Sequence, residues 1–192
     1  VFRSTLAYFR DGILYADPSI GQRTESLGQS LNGSASYSQS LGQHLFFASM
    51  SGQWIKGEIS NYQRSQGEWR HHVNANYQVQ IDQVRIRAGV GLSFRVDQWT
   101  PILPEVHVDL PLSAQSAIQV TVARHFRFPA LNDLYWAPGG NPGLRPEEGW
   151  SQNVAYRTSW SHSPWEMTFS SELYHRIIDD FILWTIPQPG AF

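Results

Sequence analysis

The chain has 192 residues, a formal net charge of −2, 16% charged residues, 14% aromatics with eight Trp, and no Cys. No stretch approaches the ~18 consecutive apolar residues of a membrane-spanning helix. The charge balance offers no basic field for nucleic acid, and the missing Cys excludes disulfide scaffolds, Cys-ligated metals and thiol catalysis. A polar average (mean hydropathy −0.36) with few charges and many aromatics suits a sheet that keeps one face in lipid and the other in water.

Taken in chain order, the segments alternate with period two, as strands do when successive side chains point to opposite faces. Residues 3–17, 31–40 and 44–59 form the first three expected strands. The fourth sets Trp69, His71, Val73, Ala75, Tyr77, Val79 and Ile81 against Arg70, His72, Asn74, Asn76, Gln78 and Gln80. The fifth, Val84 to Asp97, is the clearest: Val84, Ile86, Ala88, Val90, Leu92, Phe94 and Val96 share one face, and three arginines lie on the other. A short strand at 103–111, bracketed by Pro101, Pro104 and Pro111, comes next. Ile118, Val120 and Val122 continue the pattern, followed by a long loop at 129–148 in which Leu131 to Trp136 can make a turn of helix. Strands opening at Trp150 and Trp165 complete about nine.

The connections alternate too. Short turns are expected near 41–43, 81–84, 111–115 and 161–164, and long loops near 18–30, 60–68, 98–102 and 129–148. In an up-and-down meander this parity puts every short turn at one end and every long loop at the other, as in outer-membrane barrels. Trp54, Trp69, Trp99, Trp150 and Trp184 fall at the long-loop end, and Phe46, Trp160 and Trp165 at the short-turn end, the pattern of two interfacial girdles. The fold class is therefore all-β, an antiparallel up-and-down transmembrane barrel sector. An odd strand count leaves open edges whose unpaired backbone groups hydrocarbon would not tolerate. Val1-Phe2-Arg3 lacks a leader pattern and the end from Ile186 to Phe192 is Pro/Gly-rich, so residues 1–192 read as part of a longer chain.

The loop after His125 carries the string Phe126, Arg127, Pro129, Leu134, Tyr135, Gly140, Asn141, Pro142, Leu144, Pro146 and Glu147, and Ile178, Asp180 and Ile182 follow Tyr174. It resembles TonB-dependent outer-membrane transporters, with most likeness to the cobalamin and siderophore receptor branch. The resemblance implies a barrel of about 22 strands, a plug domain that this chain lacks, and coupling through that plug to the TonB energy system. It further implies a small nutrient ligand (cobalamin or a ferric siderophore), a setting in the lipid of a Gram-negative outer membrane, no catalysis and no cofactor. Ligand contacts are expected from Asn132, Tyr135, Trp136 and Asn141 of the rim loop.

The residues themselves suggest a rigid loop. Pro129, Pro138, Pro142 and Pro146 fix φ, Asn141 can close an Asx-turn, and Glu147 and Glu148 can accept backbone N–H groups or meet Arg127 or Arg145. His71 and His72 must point to opposite faces and cannot chelate together, and His107 and His125 share the polar face several residues apart, so no metal site is expected. Hairpin register is expected to bring Arg70, Arg95 and Glu105 together. His175 with Asp179 and Asp180 at the rim invites an enzyme reading, but consecutive aspartates again diverge. A small self-contained barrel (enzyme or adhesin) and a soluble all-β binding module are the alternatives.

Overall fold

The computed structural model describes residues 1–184 apart from 18–20, 61, 63, 64, 97 and 138. Asp97, Pro138 and the segment from Ile186 to Phe192 therefore lie outside the described residues. The strands are β1 (Phe2–Asp17), β2 (Gln22–Leu41), β3 (His44–Ile59), β4 (Gln66–Ile81), β5 (Val84–Arg95), β6 (Gln98–Trp99), β7 (Leu103–Pro111), β8 (Ser116–Arg127), β9 (Glu147–His162) and β10 (Trp165–Asp179), with one short helix, α1 (Leu131–Tyr135). Nine strands follow one another as antiparallel neighbours, and β6 is a two-residue stub on β5. β1 and β10 each pair with a single strand, so the sheet is open.

The ladder fixes the faces. Cross-strand pairs Phe46↔Tyr77, Met50↔Val73 and Trp54↔Trp69 stand on one side, as do Val73↔Leu92, Val108↔Val120 and Val120↔Val154. This apolar side faces outward and nothing covers it among the described residues: Val90 is 50% and Leu173 74% exposed. A two-layer sandwich would bury these side chains, and the soluble-module alternative fails on that point. On the other, concave side lie Arg70, His72, Asn74 and the β5 arginines.

Both girdles are present on the outward face. At the long-loop end Trp69 stacks on His71 (5.8 Å), His71 on Phe94 (4.5 Å), and Phe94 packs on Trp99 (4.7 Å). At the short-turn end Phe46 meets Tyr77 (5.1 Å), whose hydroxyl bonds His44 Nδ1 at 2.6 Å. The girdles do not follow the hydrogen-bonded rows. The row through Tyr77 runs Ala88, Val106, Val122 and Gln152, which aligns Trp150 with Ala75, six residues from Trp69. Six residues at about 3.3 Å over four strand spacings of about 4.8 Å correspond to a strand tilt of roughly 45°. The short-turn girdle, from Tyr77 to Trp160, gives roughly 55° by the same measure. Transmembrane barrel strands tilt by about this much.

Three expectations change. β2 begins at Gln22 rather than 31, because β1 and β2 stay paired out to Asp17↔Gln22; the expected long loop at 18–30 is mostly strand. The turn after β5 begins at Val96 and is over by Gln98, instead of occupying 98–102: Gln98 and Trp99 fold back onto Arg95 and Phe94, and Thr100 N–H donates to the Ser93 carbonyl at 2.8 Å. This reversal places Val96 at φ 47°, a conformation that β-branched residues rarely adopt. It also slides β7, so Glu105 pairs with Gly89, and the expected Arg95–Glu105 contact does not form. Arg70 and Arg95 are opposite each other as expected, but the carboxylate between them is Glu68. Parity survives these shifts, with every short turn of the expected set still at one end.

Candidate functional site

The chain's small packed core sits at the long-loop rim. Between β8 and β9 the described residues 128–137 and 139–146 fold inward over the concave face instead of projecting away. Phe128, Pro129 and Leu134 are buried, the last 2% exposed. Beneath them Glu68 bonds Arg70 and lies 3.5 Å from Arg95. The Arg95 guanidinium stands 5.3 Å from the Phe128 ring centroid, and Arg70 donates to the Pro129 carbonyl at 3.1 Å. A buried carboxylate with two cations, one roofed by an aromatic ring, is the arrangement that lets charge leave water without standing alone.

An ionic clasp closes the loop at its base. Arg127 and Glu147 are opposite each other on β8 and β9, and the guanidinium makes two bonds to the carboxylate, 2.7 and 3.0 Å. Glu147 Oε1, one of the two oxygens bonded to Arg127, also accepts the Ile182 N–H at 2.7 Å. Asp133 of α1 organises the middle. It accepts the Ala130 N–H at 2.8 Å and the Trp184 indole N–H at 2.9 Å, and stands 3.6 Å from Arg127. Its carbonyl accepts the Asn141 N–H at 2.8 Å. The loop is thereby tied to itself and to the segment that follows β10.

The exposed Asn132 offers its side-chain oxygen to the Tyr62 hydroxyl of the β3–β4 loop, and Tyr135 meets the Tyr62 ring edge-on at 6.4 Å. Burial, reinforced by the Asp133 carboxylate, pushes the Tyr62 phenol up from its ordinary value, which keeps it a donor. Trp136 is half-buried, and its carbonyl accepts from Gly139 at 3.1 Å and Gly140 at 2.5 Å. A Cβ on Gly140 would come within 2.5 Å of the Trp136 nitrogen, so only glycine fits there. Asn141 closes the expected Asx-turn, accepting the Gly143 N–H at 2.9 Å. Phe126 packs edge-on against Phe128 (4.9 Å). Glu148 meets Arg124 at 2.9 Å rather than Arg127 or Arg145, because as an even position of β9 it faces outward. Trp184 belongs to the loop clasp, not to the girdle. Thus the structure gathers Asn132 and Tyr135 around Tyr62 and sets Trp136 and Asn141 in the loop's turn.

Tyr62, Asp133, Glu68 and Trp184 were missed as members of the site. Only Asp133, three residues after Ala130, the N-cap of α1, carries a local signal, since an acid there can accept the N-cap N–H. Below the loop, the concave face holds a cleft of about 390 Å³ lined by Thr5, Ser34, Gln53, Arg70, His72 and Phe128. No group of three or more metal-ligating side chains occurs among the described residues. His107 bonds Thr121 and Asp109, and His125 bonds Ser151.

A family model described as TonB dependent receptor-like, beta-barrel matches residues 30–192. Over 66 residues the chain is 38% identical to the vitamin B12 transporter BtuB of Vibrio vulnificus, covering 34% of this chain and 10% of that protein. It is 32% identical over 73 residues to BtuB of Photobacterium profundum, covering 38% and 11%. Among solved structures, the siderophore receptor PirA from Pseudomonas aeruginosa superposes with a TM-score of 0.66 at 10% identity, over 88% of this chain and 38% of that one. The copper transporter OprC gives 0.61 at 11% identity, over 92% and 39%. At such identities the structural likeness shows the fold alone. The aligned parts span about a tenth of the curated relatives and under two-fifths of these two solved chains.

Proposed function

The chain belongs to the family of TonB-dependent receptor β-barrels, and from that premise we propose that it forms part of the wall and outer rim of a transporter for a scarce, bulky nutrient such as a cobalamin or a ferric siderophore. The observation that carries this reading is the rim loop itself. The residues of the family-like string build a braced, inward-folded loop above a polar cleft, so ligand captured at the mouth would meet fixed side chains. A preorganised loop loses little entropy on binding. Asn132, Tyr135, Trp136 and Asn141 supply contacts, the tyrosine and tryptophan as rigid apolar surfaces and the amides through the hydrogen-bonding atoms not used within the loop.

In this reading residues 1–192 are a sector of a larger barrel. Strands outside the chain pair with β1 and β10 and remove edges that hydrocarbon would penalise by several kcal/mol per unpaired group. The long-loop end faces the exterior of a Gram-negative outer membrane. Energy coupling belongs to a plug domain outside this chain, which contacts TonB, and the wall does no chemistry.

The test is uptake by cells whose only such receptor is the complete protein carrying this chain. Labelled cobalamin or ferric siderophore is expected to enter only when the inner membrane is energised. Tyr135→Ala with Trp136→Ala is expected to raise the half-saturating concentration about tenfold while the barrel remains in the membrane. Failure to take up either class, with the protein correctly inserted, contradicts the reading.

A further inference from the structure

Charge on the outward face is confined to one end. Register assigns Arg10, Lys56 and Arg124 to that face, and Glu25, Glu58, Glu148 and Asp179 with them. Arg23, farther out on β2, pairs with Glu25 at 2.8 Å. All stand at the long-loop end. Among the described strand residues, the outward face holds no other Lys, Arg, Asp or Glu; at the short-turn end its titratable side chains are His44, His162 and tyrosines.

The charges are also layered. The aromatic belt drifts by roughly 1.5 residues per strand relative to the hydrogen-bonded rows, as the tilt requires. With that drift applied, Arg10, Lys56 and Arg124 lie level with the belt or roughly two residues to its bilayer side. The four carboxylates lie roughly two to three residues farther out. Arg23 apart, which lies beyond its partner Glu25, the order is the same on β1–β3 and on β8–β10, two regions separated by three charge-free outward faces. Among the described residues Lys56 and Arg124 meet only the carboxylate above them, Glu58 and Glu148, and Arg10 has no partner. By register, all three cations stand near the level where the aromatic belt places the start of the lipid headgroups.

We propose that this band is a docking surface for the phosphate groups of anionic lipids in the leaflet at the long-loop end, with Arg10, Lys56 and Arg124 as the ligating cations. A phosphate at belt height meets donors from each cation, as long basic side chains at an interface reach toward the headgroups. Carried higher, it would meet the carboxylates, so the layering selects depth as well as sign. The short-turn end has no counterpart and shows no such preference. The assignment rests on the lipid-facing reading of the outward face.

The test uses the complete protein in nanodiscs of phosphatidylcholine containing phosphatidylglycerol, reading retained anionic lipid by native mass spectrometry. Arg10→Gln, Lys56→Gln and Arg124→Gln are each expected to lower the preference for anionic over zwitterionic lipid about fivefold, compounding in the triple variant. Arg87→Gln, on the concave face, leaves it unchanged. A triple variant with native circular dichroism and full preference overturns the proposal, as does displacement of the lipid by millimolar inorganic phosphate. Quenching of Trp54 and Trp69 by brominated acyl chains separates the two levels. With quenching present, a silent triple variant sinks the docking surface alone; without it, the lipid-facing reading falls as well.

Discussion

The outward wall and the rim loop are built on opposite rules. Along β3 to β10 the wall leaves its Val, Leu and aromatic side chains uncovered, and its cohesion within the chain comes from backbone ladders and side-chain pairs on one face. The rim has what the wall lacks: buried apolar side chains, a buried carboxylate with two arginines, and hydrogen bonds spanning 51 residues from Asp133 to Trp184. One chain thus contains a region whose core is supplied by lipid and a region that supplies its own. The same substitution should therefore have different consequences in each.

The largest effect is expected where a charge enters the lipid-facing wall. Val90→Arg, midway between the girdles, should destabilise the inserted barrel by ~2–4 kcal/mol, whereas an arginine on the concave face, as at Arg87, is tolerated. Denaturant titration in lipid vesicles measures both, and equal costs on the two faces would erase the distinction. Next comes the rim. Leu134→Ala should cost ~2–4 kcal/mol because it empties a closed site, yet Leu173→Ala, exposed on β10, should cost much less in detergent. Asp133→Ala removes the acceptor of the half-buried Ala130 N–H and of the indole N–H of Trp184, itself 51% exposed, a loss of ~0.5–1.5 kcal/mol for each hydrogen bond. It should appear as faster proteolysis of 128–146 with the wall unchanged; protection equal to the parent would show that the clasp does not hold the loop. The smallest effect belongs to Arg85→Gln, whose Asp109 partner is 3.8 Å away in a half-exposed pair: a change under ~1 kcal/mol is expected.

The same division decides how much could be read in advance. Between the girdles one face sees lipid and the other water, so composition alternates and β4, β5, β8 and β9 are legible. Above the belt both faces see water. Residues 22–30 of β2 set Arg23, Glu25, Leu27 and Gln29 against Thr24, Ser26, Gly28 and Ser30, with too little contrast to mark a strand. The tight reversal at Val96 carries no glycine, asparagine or proline to announce it, and the misplaced turn carried the Arg95–Glu105 pairing with it. At the rim, the Arg127–Glu147 bridge and the Asn141 turn follow from neighbours across one ladder or within three residues. The links from Tyr62 to Asn132 and from Asp133 to Trp184 join separate loops, and no local spacing encodes them.

Because this chain has no Cys, single cysteines at each position from 84 to 95 can carry a spin label that reports collision with oxygen and with a water-soluble nickel chelate. The account predicts two out-of-phase profiles of period two: oxygen contact peaking at 86, 88, 90 and 92, and nickel contact at 85, 87, 89 and 91. Even positions shielded from both reagents, or a profile without alternation, would contradict it.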